Sequence, residues 1–444
     1  MVNDPVVVIG AGPQGLAAAA HLLERGLEPI VLEQGTGPSS SVAEWGHVRL
    51  FSEWPELVDT ASARLLAASG VSAPTAGYPL GADWVSDYLA PLAAALGDRV
   101  RYGARVTGVA RAGRDLLVDA GREAAPFVVH VSRADGREER IVATAVIDAS
   151  GSWSTPNPAG ADGLPALGEA AAAAAGLVTY RIPTAGEVAT LAGGHTVIVG
   201  NGHSALGAIV ALARVVREQP GTHVTWALRR DAIGDTFGGG DADALAARGA
   251  LGVAARRAVE AGLVELVTGF RTASIRVDEP GVVVTGEDGG SLDPARRVIA
   301  LTGFRPDLGI LSEVRLDLDV RLQAPRLLAA EIDPNIHSCG TVRATGAAEL
   351  AHPEPGLYIV GVKSYGRAPT FLALTGYEQV RSVVAALAGD HEAAQRNELA
   401  IPETGVCGGA GLFDEPDAAG GGCCSSAAAW QPLVLGRAPV FVAS

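Results

Sequence analysis

Two stretches of the chain repeat one pattern: an unbroken apolar run, a glycine-rich turn, a helix-forming stretch and a second apolar run. In the first, Val6-Val7-Val8-Ile9 contains no polar position, the signature of a strand covered on both faces. It enters Gly10-Ala11-Gly12-Pro13-Gln14-Gly15, then Leu16 to Leu23, rich in strong helix formers. Pro29-Ile30-Val31-Leu32 follows and ends at Glu33. In the second, Thr196-Val197-Ile198-Val199 leads into Gly200-Asn201-Gly202-His203-Ser204-Ala205 and an apolar helix over 206–215. The next apolar segment, His223 to Leu228, ends at Arg229-Arg230. Strand, turn, helix and strand, twice over, predict an α/β fold built from two Rossmann-like units with parallel sheets.

Each glycine of the first turn has a duty. Gly10 permits the tight turn, Gly12 lets a pyrophosphate approach the backbone, and Gly15 lets helix and strand pack closely. The helix N-terminus then faces the phosphate charge. Glu33, 23 residues after Gly10, sits where a carboxylate accepts hydrogen bonds from a ribose diol. The bland alternative is a glycine-rich turn in an ordinary α/β unit. At the second turn Ala205 replaces the third glycine, and the strand ends in guanidinium groups instead of an acid. A guanidinium fork accepts a 2′-phosphate bidentately, so the second site is expected to prefer NADPH, with a solvated strand end as the alternative for Arg229 and Arg230. Two sites with different ribose chemistry imply two dinucleotides, FAD in the first and NADPH in the second.

Composition narrows the class. The chain has 444 residues, 48% of them hydrophobic, enough for two or three domains with cores of their own and too apolar for disorder. Against 49 Asp and Glu stand 34 Lys and Arg, a net charge of −15 that repels phosphate backbones, so no nucleic-acid partner is expected. The start lacks a basic leader region, and no uncharged apolar run reaches the roughly 18 residues of a membrane span. Four cysteines cannot form a disulfide framework in a chain this long. A cytoplasmic protein without a membrane partner is the expectation.

Other segments fall in a telling order. Ala145-Val146-Ile147-Asp148-Ala149-Ser150-Gly151 is an apolar strand with a glycine exit, and Val298-Ile299-Ala300-Leu301-Thr302-Gly303 repeats it. Gly356-Leu357-Tyr358-Ile359-Val360-Gly361 is a late strand followed by a helix around Thr375 to Val380. Together with the two turns, these make residues 5–390 resemble the two-dinucleotide-binding-domain flavoproteins, the superfamily of flavin-dependent monooxygenases and thioredoxin-reductase-like enzymes. The resemblance implies three-layer domains of the ββα sandwich type, with an NADP domain (156–324) inserted between two parts of an FAD domain (1–155 and 325–395) and a tail over 396–444. It implies coenzyme contacts from Gly10, Gly12, Pro13, Gln14, Gly15, Glu33, Gln34, Trp45, Arg49, Val106, Gly151 and Gly361 for FAD. For NADPH it implies Gly200, Gly202, His203, Ser204, Arg229, Arg230 and Gly303. A homodimer is expected from superfamily relatives. One position departs from the pattern: an Asp often follows the late glycine to hold the ribityl chain, and here Val362 stands there. Backbone amides or Ser364 are expected to supply that contact.

The chemistry at the flavin is read by elimination. A dithiol reductase needs a Cys-x-x-Cys pair, and the chain has none. The Baeyer–Villiger fingerprint Phe-x-Gly-x-x-x-His-x-x-x-Trp is also missing. Between Trp45 and Trp54 the chain packs His47 and Arg49, in the region that covers the ring in the superfamily. Arg49 is expected to neutralise charge and His47 to relay a proton. A structural loop is the alternative. Tyr365, with Lys363 and Arg367, forms a second polar cluster that ordinary loop residues would also explain. The leading expectation is a flavin monooxygenase using a flavin–oxygen adduct, with O2 and a small molecule as substrates.

Cys423 and Cys424 are adjacent in a glycine-rich tail, and Cys407 lies 17 residues before Cys424. Three thiols without a fourth ligand suit a soft, thiophilic metalloid better than zinc. With Gly366 to Phe371, this tail resembles flavoproteins of bacterial arsenic resistance, which implies a trivalent arsenic substrate. The competing reading is a metal(loid) or disulfide reductase that relays electrons from FAD to the tail.

Overall fold

The computed structural model describes residues 4–399 apart from 244, 280, 335–344 and 370. The first apolar run is the strand Val6–Ile9, every residue of it buried. It is the middle strand of a five-stranded parallel sheet ordered Leu357–Ile359, Ala145–Asp148, Val6–Ile9, Pro29–Leu32, Val100–Arg101. One face of this sheet is covered by the helices Pro13–Glu24 and Ala373–Leu387, in a core that includes Leu16, Leu22, Tyr377, Val380 and Val384. The other face carries the antiparallel strands Ala104–Arg111, Phe127–Arg133 and Glu138–Ala143. Their alternating inward positions, Val106, Val109, Val129 and Val131, meet Val7, Ile9, Val146 and Ile359. The result is a β-meander, a parallel sheet and a helical layer, the ββα sandwich expected.

The second unit repeats it. Its parallel sheet runs Glu265–Val267, His223–Ala227, His195–Val199, Arg297–Ala300, Val178–Thr179. The helices His203–Glu218 and Ala246–Glu260 pack on one face, and the hairpin Thr272–Asp278 with Gly281–Gly286 covers the other. Both cradle helices start three residues before the apolar pattern does, at Pro13 and His203 instead of Leu16 and Leu206. First-turn side chains face the mouth of the turn and need not be apolar, and proline is pre-organised for the first helical position. The late strand is shorter than expected, Leu357–Ile359, because the chain turns into a 3₁₀ segment at Gly361–Tyr365.

The chain passes between the units twice, and the two passages lie together. Pro156 bridges Phe304, Asn157 N–H donates to Gly303 C=O (2.9 Å), and Trp153 stacks on Phe304 at 4.8 Å. A buried clasp ties the meander to the late strand. The Glu354 carboxylate, 1% exposed, accepts from Arg111 Nε (2.7 Å) and from Arg122 Nη2 (2.7 Å). Burial alone would raise the Glu354 pKa, but the hydrogen bonds from Arg111 and Arg122 outweigh it and hold the group below its ordinary 4.5. The folded pKa is depressed, so this clasp stabilises above the unfolded pKa and its contribution fades as pH falls through the folded value. Glu354→Gln is expected to destabilise by about 3–5 kcal/mol at pH 7, leaving two buried guanidiniums without a counter-charge. In urea titrations the gap between variant and parent should narrow as the pH is lowered below about 4.

Candidate functional site

The first turn is built from both sides of Ala11. Ala11 N–H donates to Glu33 Oε2 (2.9 Å), and Gly35 N–H donates to Glu33 Oε1 (2.8 Å). Ser39 N–H and Oγ both donate to Ala11 C=O, at 2.9 and 3.0 Å. Ser39 holds φ = +51°, an uncommon conformation for a residue with a Cβ, and is buried. Gly10, at φ = +96°, reverses the chain where a Cβ would meet Ala149 C=O at 2.8 Å. A Cβ on Gly15 would lie 1.9 Å from Gly10 C=O, so the helix rests directly on the turn. A Cβ on Gly12, by contrast, would meet nothing within 4 Å. The space above Gly12, at the N-terminus of Pro13–Glu24, is therefore open and lined by main chain, as a pyrophosphate requires.

Beside it lies a cavity of about 450 Å³ lined by Gln34, Gly35, Ser40, Arg105, Ser150 and Trp153. Glu33 is buried, and each of its oxygens, having taken one backbone N–H, keeps a lone pair for a ribose hydroxyl. Val106 follows Arg105 in the meander and pairs with Val131. Gly151, at φ = +71°, ends the strand across the turn. These residues fit the adenosine and pyrophosphate of FAD.

At the late strand Gly361 (φ = +72°) stands against Gln14, and its N–H donates to Gln379 Oε1 (2.9 Å). Val362 is partly exposed where the superfamily often has Asp. Ser364 does not replace that Asp: its hydroxyl is turned inward, donating to Gly361 C=O (2.7 Å). Lys363, read in the sequence as part of a polar cluster or an ordinary loop, is buried. Its Nζ donates to Asp148 Oδ2 (2.7 Å) and Ser150 Oγ (2.9 Å), and Asp148 Oδ1 accepts from Ser150 N–H and Oγ. The pair cross-links the ends of two adjacent strands beside the cavity. Its sequence signal was an Asp closing the otherwise apolar Ala145–Asp148. Tyr365 is also buried, edge-on to Phe371 at 5.1 Å, and burial pushes its phenol pKa up. Its hydroxyl is thus a poorer acid than an ordinary tyrosine.

The second turn repeats the first without the acid. Gly200 holds φ = +123°, and a Cβ there would reach Leu301 C=O at 2.2 Å; a Cβ on Gly202 would meet nothing within 4 Å. Trp226 Nε1 donates to Gly200 C=O (2.7 Å), fixing the turn to the neighbouring strand. His203 and Ser204 open the helix. The surrounding protein, and then the Arg248 guanidinium, lower the His203 pKa. The strand His223–Ala227 delivers Arg229 and Arg230 beyond its C-terminal end, with Arg229 exposed and donating to Ala161 C=O (3.1 Å). Gly303 (φ = +89°) stands beside Asn157.

The aromatic loop reaches across to the second unit. His47 Nε2 lies 3.1 Å from Ile182 C=O, and Phe51 packs edge-on to the His203 ring at 5.4 Å. Glu44 accepts from Trp153 Nε1 (2.9 Å) and pairs with Arg181. Arg49 donates to Tyr78 C=O, and Trp45 is half-buried against Trp84. Cys407, Cys423 and Cys424 lie outside the described residues. Among the described residues no cluster of three His, Cys, Asp or Glu could hold a metal, and no helix is long and apolar enough to cross a membrane.

The model of the pyridine nucleotide-disulphide oxidoreductase family matches residues 7–330. The chain belongs to that family. It is a flavoprotein with two dinucleotide-binding units, taking FAD and a nicotinamide dinucleotide. Among solved structures it is similar to the bacillithiol disulfide reductase Bdr of Bacillus cereus, at 19% identity over 87% of this chain and 99% of the other, with a TM-score of 0.66. The ornithine hydroxylase PvdA of Pseudomonas aeruginosa aligns at 18% identity over 88% of this chain and 100% of the other, with a TM-score of 0.57. Thioredoxin reductase of Lactococcus lactis gives 17%, 88%, 99% and 0.53. These establish a shared fold. No curated protein matches.

The glycines separate fold from binding. Gly12→Ala, at φ = −78°, should leave the melting temperature of the apo-protein unchanged while weakening FAD retention, read as flavin absorbance after gel filtration. Gly15→Ala should lower apo-protein stability by about 1–3 kcal/mol. Lys363→Met should cost about 3–5 kcal/mol in urea unfolding, with part recovered by adding Asp148→Asn.

Proposed function

We propose that the chain is an NADPH-dependent FAD oxidoreductase acting as a monooxygenase on a small substrate, with trivalent arsenic the first to test. The observation that carries this reading is the placement of cysteine: the chain has no Cys-x-x-Cys, and Cys339 is the single cysteine before the tail, so neither cradle unit carries a dithiol of its own to take electrons. The acceptor must therefore arrive from solution or from the tail. FAD, when bound, supplies the centre that takes a hydride from the nicotinamide and passes electrons on.

The chain's own residues bind and orient. The amides around Gly12 and the helix start at Pro13 hold the FAD pyrophosphate, and Glu33 fixes the adenosine ribose. Gly202, His203 and Ser204 receive the second pyrophosphate, and Arg229 and Arg230 receive a 2′-phosphate. The partly depressed His203 keeps less positive charge there than an ordinary histidine, so the arginines carry the discrimination. On the loop that meets the second unit, His47 is the group to relay a proton and Arg49 the one to balance negative charge.

The reading is tested by mixing FAD-loaded protein with NADPH, O2 and arsenite and measuring arsenate. Stoichiometric arsenate supports it; NADPH oxidation that leaves arsenite and other small thiophilic compounds untouched overturns it. Arg229→Ala is expected to raise the NADPH KM about tenfold and leave that for NADH unchanged. Equal use of both coenzymes by the parent protein would refute the NADPH assignment.

The family's disulphide chemistry and the fold shared with bacillithiol disulfide reductase favour a second reading, electron relay to the Cys407, Cys423 and Cys424 tail. Cys423→Ser with Cys424→Ser separates the two. Turnover abolished with NADPH-driven flavin bleaching intact supports the relay, and unchanged turnover removes it.

A further inference from the structure

A second cavity, of about 280 Å³, lies in the second unit between the sheet edge Val178–Thr179, the strand Arg297–Ala300 and the helix Ala185–Thr190. Its lining is mostly apolar, from Pro156, Ile182, Pro183, Leu191 and Ile299. One cation in it, Arg297, has no hydrogen-bond partner among the described residues. The Arg297 Nε is buried, and among the described residues the guanidinium makes no hydrogen bond and no ion pair. The buried arginines elsewhere are all engaged: Arg111 and Arg122 with Glu354, Arg248 with Asp243, Arg381 with Glu378. The Glu187 carboxylate on the same lining feels the Arg297 charge, but no acceptor meets the buried Nε, and a buried donor left unsatisfied is costly.

Three other polar side chains of the lining have partners. Tyr180 donates to Glu169 (2.8 Å), and Arg181 pairs with Glu44 of the first unit. Glu187 closes a capping box, accepting from Thr184 N–H and Oγ1 through Oε2. Its carboxylate faces the same cavity and disfavours a ligand carrying more than one negative charge.

We propose that this cavity binds a small organic monocarboxylate, its two oxygens on the Arg297 fork and its short apolar body against Ile182, Leu191 and Ile299. A planar guanidinium matches a carboxylate bidentately. The volume falls below the roughly 300–1,000 Å³ of drug-sized sites, which limits the ligand to a few carbons. The site is separate from both cradles. It touches Pro156, where the chain passes between the units, and Arg181, whose guanidinium lies 4.7 Å from the Trp153 ring centre.

Calorimetric titration of the FAD-loaded full chain with butyrate tests this, with butyramide as the uncharged probe of the same shape and glycine as the zwitterionic one. Butyrate should bind at millimolar affinity, and butyramide should not. Arg297→Met should weaken butyrate at least about tenfold. Leu191→Phe, which narrows the cavity and keeps the guanidinium, should weaken it as well. Absence of butyrate binding, equal binding of butyramide, or undiminished binding by a folded Arg297→Met protein overturns the proposal. Glycine binding tighter than butyrate overturns the monocarboxylate assignment in favour of an amino-acid ligand held between Arg297 and Glu187. These are binding measurements and stand whatever the outcome with NADPH and arsenite.

Discussion

The approach of the helix Pro13–Glu24 to its own turn is the constraint from which the first unit follows. Gly15 lies so near Gly10 C=O that only a hydrogen fits between, which fixes the helix axis relative to Val6–Ile9. With that axis fixed, the helix N-terminus opens beside the ends of the central strands, and Leu16 and Leu22 join the core with Val6, Val8 and Ile147 of the sheet. Glu33 and Ser39 then hold Ala11 from opposite sides, so the turn's conformation does not depend on a ligand to shape it. A cradle arranged in advance loses little conformational freedom on binding.

Much of this was legible in the residues. An apolar run, three spaced glycines and a terminal acid determine strand, turn, helix and strand because each step has few conformational alternatives. The parallel order of both sheets follows from the crossover helices. Less legible was what depends on contacts far apart in sequence. Lys363 reads as a solvated loop residue until the strand Leu357–Ile359 is seated beside Ala145–Asp148, which places its ammonium on Asp148. Ser39, which no motif singles out, donates to Ala11 C=O from both its amide and its hydroxyl. Tyr365 and Ser364 look available to chemistry in sequence and are turned into the core, because a short 3₁₀ segment after Gly361 rotates them inward.

The two units meet through side chains of unlike character. Trp153 is stacked on Phe304, covered by Arg181 and hydrogen-bonded to Glu44, so one indole touches both passages of the chain and both units. His47 and Phe51 add a polar and an aromatic contact on the same side. These contacts, several of them at exposed side chains, join two units that each build a core of their own.

The order in which the strands enter the first sheet has a consequence on the ribosome. Asp148 is synthesised roughly 200 residues before the lysine that neutralises it and the edge strand that covers its neighbour. At about 5–20 residues per second, the nascent chain spends about 10–40 s with that edge bare. The second unit is contiguous and can fold within that interval, so it is the first to become protease-resistant during translation, with the N-terminal half waiting for its last strand.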